Sequence, residues 1–413
     1  MRIVVIGGGA AGHFAAISAR VHHPTAEVLL LERTDKVLAK VRISGGGRCN
    51  VTHHALEPRK LAKHYPRGEV FLRQAFKQWA VADTIAWFEG RGVALKTEAD
   101  GRMFPVTDSS QTIIDALSQA LVQSRVDLRM RTPVERLERV GEGWTLHTPS
   151  GPIAADAVIV ASGGSPKAEG LAWLKQLGQP VVAPVPSLFT FNLPEEPITK
   201  LMGVVAPQAR VRVEGTDLES TGPVLVTHWG LSGPGILRLS AWGARSLHAQ
   251  GYTFGVRINW VEGASEEAVR ARLATEVSAH PQRTMANTNP FTLPSRLWEH
   301  LLERAAIEGA VPATRLGRQD LNRLVAVLTN DRYAARGKTT YKEEFVTAGG
   351  VALEAVDPAT MCSQRLPGLY FAGEVLDVDG ITGGFNFQAA WTTGWIAGKC
   401  AATYPAAHTS SNP

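Results

Sequence analysis

Gly7, Gly9 and Gly12 are spaced G-x-G-x-x-G, directly after the short apolar run Arg2–Ile6 and before an alanine-rich stretch reaching about Arg20. Glu32 ends a second apolar run, 27–32. Each position has a physical role in holding a dinucleotide. Gly7 permits a tight turn, Gly9 lets backbone approach a pyrophosphate, Gly12 lets a helix pack closely on a strand, and Glu32 accepts hydrogen bonds from ribose hydroxyls. The start of the helix adds unpaired N–H groups and the positive end of its dipole. An acid at Glu32 disfavours a 2′-phosphate, so the nucleotide expected is FAD or NAD rather than NADP.

Two more clusters have the composition of a cofactor cradle. Ser44-Gly45-Gly46-Gly47-Arg48-Cys49-Asn50 joins three consecutive glycines to a fixed positive charge and an amide. Such a run costs backbone entropy and is expected where a ligand approaches closely. Gly373-Glu374, Asp377, Asp379-Gly380 and Gly383-Gly384-Phe385-Asn386-Phe387-Gln388 lie just before the last helical stretch. Asp379 is expected to hold ribityl hydroxyls. The Gly383-Gly384 turn is expected to aim N–H groups at the pyrimidine edge of a redox ring, where negative charge develops on reduction. Three clusters touching an extended cofactor at both ends fit FAD better than NAD alone. Lys36 and Lys40 are phosphate-neighbour candidates.

These residues need a scaffold. Strand, glycine turn, helix and strand within about 30 residues make a βαβ unit. Residues 157–161 and 368–373 read as further buried strands, each followed by glycines. Helices are expected at 70–90, 109–123 and 386–401, and a small antiparallel meander at 126–149. Ala390, Gly394, Ala397 and Gly398 form a small-residue stripe suited to close helix packing, with Trp391 and Trp395 as core. Pro180, Pro184, Pro186, Pro194 and Pro197, with Pro166 upstream, mark a connection between domains. Beyond them, strand-like runs at 203–213, 222–227 and 252–260 precede helical stretches near 264–276, 295–307 and 318–329, the texture of an inserted domain. The expected organisation is an α/β chain: 1–190 as the first part of a nucleotide-binding domain, 191–345 as the insertion, and 346–413 as the return segment with a frayed polar tail.

Composition sets the outer limits. Forty glycines in 413 residues exceed the roughly 7% average and are clustered, which excludes collagen-like and low-complexity chains. No apolar run approaches the roughly 20 residues of a membrane span, and no secretory signal is visible. Cys49, Cys362 and Cys400 form no CxxC pair, which argues against zinc and disulfides. A cytoplasmic location and no membrane partner are expected. The net charge of +5 suits an anionic partner, a nucleotide or RNA.

The segments MRIVVIGGGAAG, KVRISGGGRCNVT, GRMFPVTDSSQTIIDAL, PSLFTF, THWGLSGPGILRLS, VTAGGVALEAVD and GLYFAGEVLDVDGITGGFNFQAAWTTGWIAG resemble successive motifs of the YhiN/BaiN-like bacterial flavoproteins, NAD(P)/FAD-dependent oxidoreductases. The resemblance spans nearly the whole chain. It implies a Rossmann-like two-dinucleotide-binding FAD domain interrupted by an inserted domain with a β-barrel and helices. By motif, the implied FAD contacts are Gly7, Gly9, Gly12, Glu32, Lys40, Ser44, Gly45, Arg48, Asn50, Gly373, Glu374, Asp379, Gly384, Asn386 and Phe387. Ala11, Arg33, Gly46, Val134, Gly163 and Gly383 complete the candidate set. Two positions depart from the pattern. The loop after Asn50 reads Val51-Thr52-His53-His54-Ala55, where many relatives have a second Asn after the Thr, and Phe385 stands where Tyr is common.

The resemblance also implies reduction of activated carbon–carbon double bonds, with branches similar to ribosomal RNA dihydrouridine synthases and to bile-acid enone reductases. Such a reduction needs hydride at one carbon and a proton at the other. The candidate donors are Cys49, beside the presumed ring, and His228 in the insertion, with Trp229 as a stacking surface. The leading reading is an FAD enzyme that takes hydride from NAD(P)H, bound transiently, and reduces a C=C bond in a small molecule or a uracil of rRNA. An FAD oxidase or dehydrogenase of an unrelated small molecule is the second reading. A non-enzymatic FAD-bound module that binds RNA or protein is the third.

Overall fold

The computed structural model describes residues 1–165, 167–340 and 346–401. Pro166, the expected end of the insertion at 341–345 and the expected frayed tail lie outside the described residues. The chain divides into two compact units. One takes Met1–Pro186 with the chain after Thr340; the other is Ser187–Thr340. No helix among the described residues is long and apolar enough to cross a membrane.

The first unit is built on a parallel sheet of β1 (Arg2–Ile6), β2 (Glu27–Leu31), β3 (Asp127–Arg129), β4 (Ala157–Val160) and β5 (Leu369–Phe371), in the order β5-β4-β1-β2-β3. Ile3 pairs with Ala157 on one side and Val28 on the other. The central strands are buried on both faces, which is why they read as continuous apolar runs rather than alternating ones. Because the strands are parallel, Gly7 after β1, Glu32 after β2, Gly163 after β4 and Gly373 after β5 all emerge at one edge. Ligands bind at this carboxyl edge in open α/β sheets.

Two helices complete that edge, α1 (Ala10–His22) and α2 (Phe385–Cys400). They touch backbone to backbone. A Cβ on Gly394 would lie 2.5 Å from the Ala11 carbonyl oxygen, and one on Gly398 would lie 2.2 Å from that of Ala15. Ser18 Oγ also donates to the Trp395 carbonyl (2.7 Å). The small-residue stripe thus packs against α1. Trp391 is fully buried against Phe14, whose ring also meets Trp87, while Trp79 meets Trp395.

Three sequence expectations change in detail. The helix expected at 70–90 is two helices, Glu69–Ala75 and Val81–Glu89. The second is started by Asp83, which accepts the Ala80 N–H (2.8 Å). The meander occupies 136–155, because Asp127–Arg129 instead joins the parallel sheet beside β2. The run at 44–50 continues a helical turn begun at Ala39, then leaves it: Ser44 is extended and Gly45, Gly46 and Gly47 take positive φ.

The second unit holds a seven-stranded antiparallel sheet. Asp331–Arg336 pairs with Thr253–Asn259 at one end of the strand order, and Lys338–Thr339 pairs with Thr190–Asn192 at the other. These two terminal strands are consecutive pieces of one segment, interrupted at Gly337 (φ +89°). The segment therefore links the two ends of the strand order, with the Asn192 N–H donating to the Gly337 carbonyl (3.2 Å), and bends the sheet round as a barrel. Helices Glu266–Ala279, Ser295–Arg304 and Arg318–Asn330 accompany it. Buried Asp331 ties helix to barrel by accepting from Trp260 Nε1 (2.9 Å), Tyr333 Oη (2.6 Å) and Arg304 Nε (2.8 Å).

Replacing Gly398 by Ala is expected to lower the stability of the first unit by about 1–3 kcal/mol, the usual cost of forcing atoms into a filled contact. Urea unfolding checks this, and an unchanged midpoint would show that α1 and α2 can separate at no cost.

Candidate functional site

The turn after β1 separates its three glycines by role. A Cβ on Gly7 would sit 2.4 Å from the Ala161 carbonyl oxygen, and one on Gly12 would sit 1.9 Å from that of Gly7. Both are demanded by packing. A Cβ on Gly9 would meet nothing within 4 Å. Gly9 caps α1, and among the described residues the N–H groups of Ala10, Ala11 and Gly12 have no acceptor. Unclaimed N–H groups at a helix start beside an open backbone surface suit a pyrophosphate.

Glu32 anchors the neighbouring turn. Its Oε2 accepts the Gly8 N–H (2.8 Å), and its Oε1 accepts the Thr34 N–H and hydroxyl (2.8 Å each). A carboxylate has about four acceptor sites, so capacity remains for a ribose hydroxyl. Arg33 beside it is exposed. Val134 is half-buried, two residues beyond Thr132, whose N–H donates to the Glu32 carbonyl (2.8 Å). Gly163 after β4 has φ +77° and open space at its Cβ position.

His13 is fully buried on α1. Its Nδ1 lies 3.0 Å from the Gly9 carbonyl, while Nε2 has no partner. Burial holds its pKa down at about 4, against an ordinary 6.5, with weaker opposing pulls from the Gly9 carbonyl and Glu32. The sequence carried no signal for this, since only tertiary packing buries it.

At the second cluster, Gly46 and Gly47 also present open backbone, whereas Gly45 packs against Phe104 and Asn50. Ser44 Oγ donates to the Val41 carbonyl (3.0 Å). Arg48 is held by protein: it donates to Glu98 (2.7 Å), lies 3.6 Å from Asp108 and sits 4.0 Å above the Phe104 ring. The Glu98 hydrogen bond raises its pKa further. Cys49 is fully buried at φ +60°, and burial pushes its thiol up to about 12 despite a Ser44 hydrogen bond. It packs within the loop.

The third cluster is wired to the first two by charges distant in sequence. Lys40 Nζ donates to Glu374 Oε2 (2.7 Å), and Glu374 Oε1 accepts the Thr347 N–H (3.1 Å). Asp379 has no exposed surface and is gripped by both arms of the Arg67 guanidinium. Sequence reasoning had no reason to single out Arg67, which is 312 residues away. Gly373 donates its N–H to Thr393 Oγ1 (2.8 Å). Asn386 clamps the preceding turn, accepting the Gly380 N–H (2.8 Å) and donating to the Gly380 carbonyl (3.0 Å). Asn50 accepts the Gly384 N–H (3.0 Å) and donates to the Thr52 carbonyl (3.1 Å). That N–H, expected to face a cofactor, is therefore occupied. The next three, on Phe385, Asn386 and Phe387 at the start of α2, have no acceptor among the described residues. Phe387 stacks on Trp391 with ring centroids 5.6 Å apart.

Two imidazoles that sequence reasoning did not select, His53 and His64, gather on Phe385 beside the Gly383-Gly384 turn. His53 and Phe385 are the two positions that depart from the resembled pattern. His228 stands in the second unit, exposed at a hairpin tip with its ring 4.4 Å from that of Trp229, itself 51% exposed. No group of three or more His, Cys, Asp or Glu among the described residues could hold a metal ion.

The family model described as the HI0933-like protein Rossmann domain matches residues 1–400. The chain belongs to this family. It is an FAD-dependent oxidoreductase. It is 29% identical to the 3-dehydro-bile acid delta(4,6)-reductase of Clostridium scindens, over 98% of this chain and 100% of the relative. It is 32% identical to the ribosomal RNA dihydrouridine synthase of Escherichia coli, over 96% of each. Among solved structures it shares its fold with 3-ketosteroid delta1-dehydrogenase from Sterolibacterium denitrificans (TM-score 0.52, 12% identity, 97% of this chain and 99% of that one). The same holds for 3-ketosteroid-delta4-(5alpha)-dehydrogenase from Rhodococcus jostii RHA1 (TM-score 0.50, 15% identity, 97% and 96%).

The open and occupied positions fit FAD. Unclaimed N–H groups and Gly9 would take the pyrophosphate, Glu32 the adenosine ribose, and the starts of α2 and the 46–47 backbone the ring end. Gly9→Val is expected to purify without yellow colour yet unfold at the temperature of wild type stripped of its flavin, because the added side chain enters open space. Flavin absorbance and thermal unfolding measured together check both halves. His13 gives a second expectation. Its folded pKa lies below the unfolded value, so its contribution is complete above about pH 6.5 and is lost as pH falls toward 4, by up to about 3 kcal/mol. Urea unfolding at pH 7, 5.5 and 4.5 should show this slope, and His13→Gln should flatten it.

Proposed function

We propose that the protein reduces a carbon–carbon double bond conjugated to a carbonyl, using NAD(P)H as the electron source. The observation that carries this reading is the full-length match to a relative named as a 3-dehydro-bile acid delta(4,6)-reductase, 29% identical. Bound FAD supplies the hydride chemistry. The protein's own part is placement and electrostatics. The unclaimed N–H groups at the start of α2 offer donors to the pyrimidine edge of the bound redox ring, where negative charge develops when it is reduced. Those of α1 hold the cofactor's phosphates. No second glycine fingerprint is present, so the nicotinamide is a transient visitor. On the second unit, exposed Trp229 with His228 offers a flat face for a planar substrate ring.

A second reading, reduction of a uracil in rRNA, is favoured by the 32% identity to a relative named as a ribosomal RNA dihydrouridine synthase and by the net charge of +5. The uracil double bond is likewise conjugated to a carbonyl, so the protein groups would act in the same way.

Anaerobic holoprotein is expected to be bleached by NADH or NADPH and to regain its yellow colour on addition of a 3-oxo-Δ4,6 steroid, with two hydrogens gained by the product in mass spectrometry. Reoxidation by unmodified rRNA but not by the steroid would move the assignment to the second reading. Reoxidation by oxygen alone would remove both.

A further inference from the structure

Three neighbouring strands of the second unit carry one kind of charge on their outer face. Val205–Val213, Thr253–Asn259 and Asp331–Arg336 pair side by side, and their burial alternates along most of their length. The charged residues at their outward positions are Arg210, Arg212, Arg257, Arg332 and Arg336, with no lysine and no acid among them. Arg212 stands directly opposite Arg257, and Arg257 directly opposite Arg332. Strands lie about 4.8 Å apart, so three arginine stems form one row across the sheet. Like charges in direct register oppose strand pairing, so the row does nothing for the sheet that carries it.

Two carboxylates position the arginines. Glu219 accepts from Arg210 Nε (2.6 Å) and lies 3.1 Å from Arg212 Nε. Glu214 accepts from Arg257 Nε (2.7 Å) and Arg332 Nη2 (2.8 Å). It lies flat across the sheet, since a Cβ on Gly255 would sit 2.0 Å from its Oε2. These four arginine side chains are 43–70% exposed, against 20% for Glu214 and 30% for Glu219. The cations are therefore outermost. Each carboxylate is shared by two guanidiniums, so half of the positive charge within the group is uncompensated. Arg336 pairs with no carboxylate among the described residues. A guanidinium has five N–H donors, so fixed donors remain directed to solvent.

Positive charge repeated at strand spacing is matched by negative charge repeated along a polymer, and a phosphodiester backbone has that repeat. Arginine meets phosphate oxygens with two parallel N–H donors, a geometry that lysine lacks. Guanidiniums already held by Glu214 and Glu219 lose little freedom on binding. Resting for the partner's identity on the second reading under Proposed function, we propose that this arginine face of the second unit docks the phosphodiester backbone of RNA. Phosphate contacts fix register and orientation and read no sequence. The face therefore supplies affinity, and selection of a base falls to other groups.

The test titrates FAD-loaded full-length protein with a fluorescent single-stranded RNA across a range of salt. Wild type is compared with the double variant Arg212→Gln/Arg332→Gln, which leaves Glu219 with Arg210 and Glu214 with Arg257. Arg73→Gln/Lys77→Gln, which removes two exposed cations of the first unit, is the control with the same change of charge. The double variant should keep its flavin and its unfolding temperature. It should bind RNA about tenfold or more weakly at low salt and lose about 1.4 from the slope of log affinity against log salt, some 0.7 for each phosphate contact. The control should bind as wild type does. Unchanged affinity and slope in the double variant would overturn the assignment, and so would an equal loss in the control. Poly-L-glutamate of matched charge displacing the RNA as well as RNA itself does would overturn it in favour of an acidic protein. Tighter binding of DNA of the same sequence would overturn it in favour of DNA. Turnover separates the face from the reading it rests on. Flavin reoxidation by rRNA, with RNA binding indifferent to the arginines, overturns the face and leaves the uracil reading standing. Arginine-dependent RNA binding by a protein whose reduced flavin rRNA never reoxidises supports the face and removes the uracil reading.

Discussion

The whole site depends on α1 being in backbone contact with its surroundings on two sides. Toward the sheet, Gly12 has no room for even one carbon against the Gly7 carbonyl; toward α2, Gly394 and Gly398 have none against Ala11 and Ala15. The rising order of these contacts along both helices makes them parallel. Their amino termini therefore open at the same carboxyl edge of the sheet. A helix amino terminus carries unpaired N–H groups and partial positive charge, and this fold sets two of them at one edge. The glycines of the site serve this arrangement first, and among them only Gly9, Gly46, Gly47 and Gly163 keep their backbone open.

Charges then lock the loops between those termini. Lys40 with Glu374 and Arg67 with Asp379 join segments more than 300 residues apart in sequence. Asp379 is fully buried, and the guanidinium meeting both oxygens makes its charge tolerable there. Arg48, expected at the cofactor, is committed to Glu98 and the Phe104 ring. Asn50 and Asn386 likewise satisfy backbone groups of the turn before α2. Asn50 and Asn386 thereby hold the turn's shape.

Much of the scaffold was legible because its signals are local. A buried parallel strand reads as an apolar run, and α2 announces itself by its small-residue stripe. The misreadings have local causes too. The expected single helix at 70–90 is broken where the Asp83 carboxylate caps a new start. Asp127–Arg129 was read with the meander because a three-residue edge strand has no pattern of its own. His13, His53, His64 and Arg67 were not singled out, because a histidine or arginine carries no periodicity that reveals what it will face.

The sequence by itself determined the nucleotide-binding turn, the family and the class of cofactor. Glycine spacing has a steric meaning that holds wherever the chain turns from strand to helix, so it can be read without coordinates. Only the tertiary structure decided which polar groups remain available. Whether Gly384 N–H is open or taken, whether Cys49 is exposed or sealed, and which ring lies against Phe385 all depend on segments from distant parts of the chain. Burial and pairing are properties of that assembly, and a side chain's chemistry follows from them.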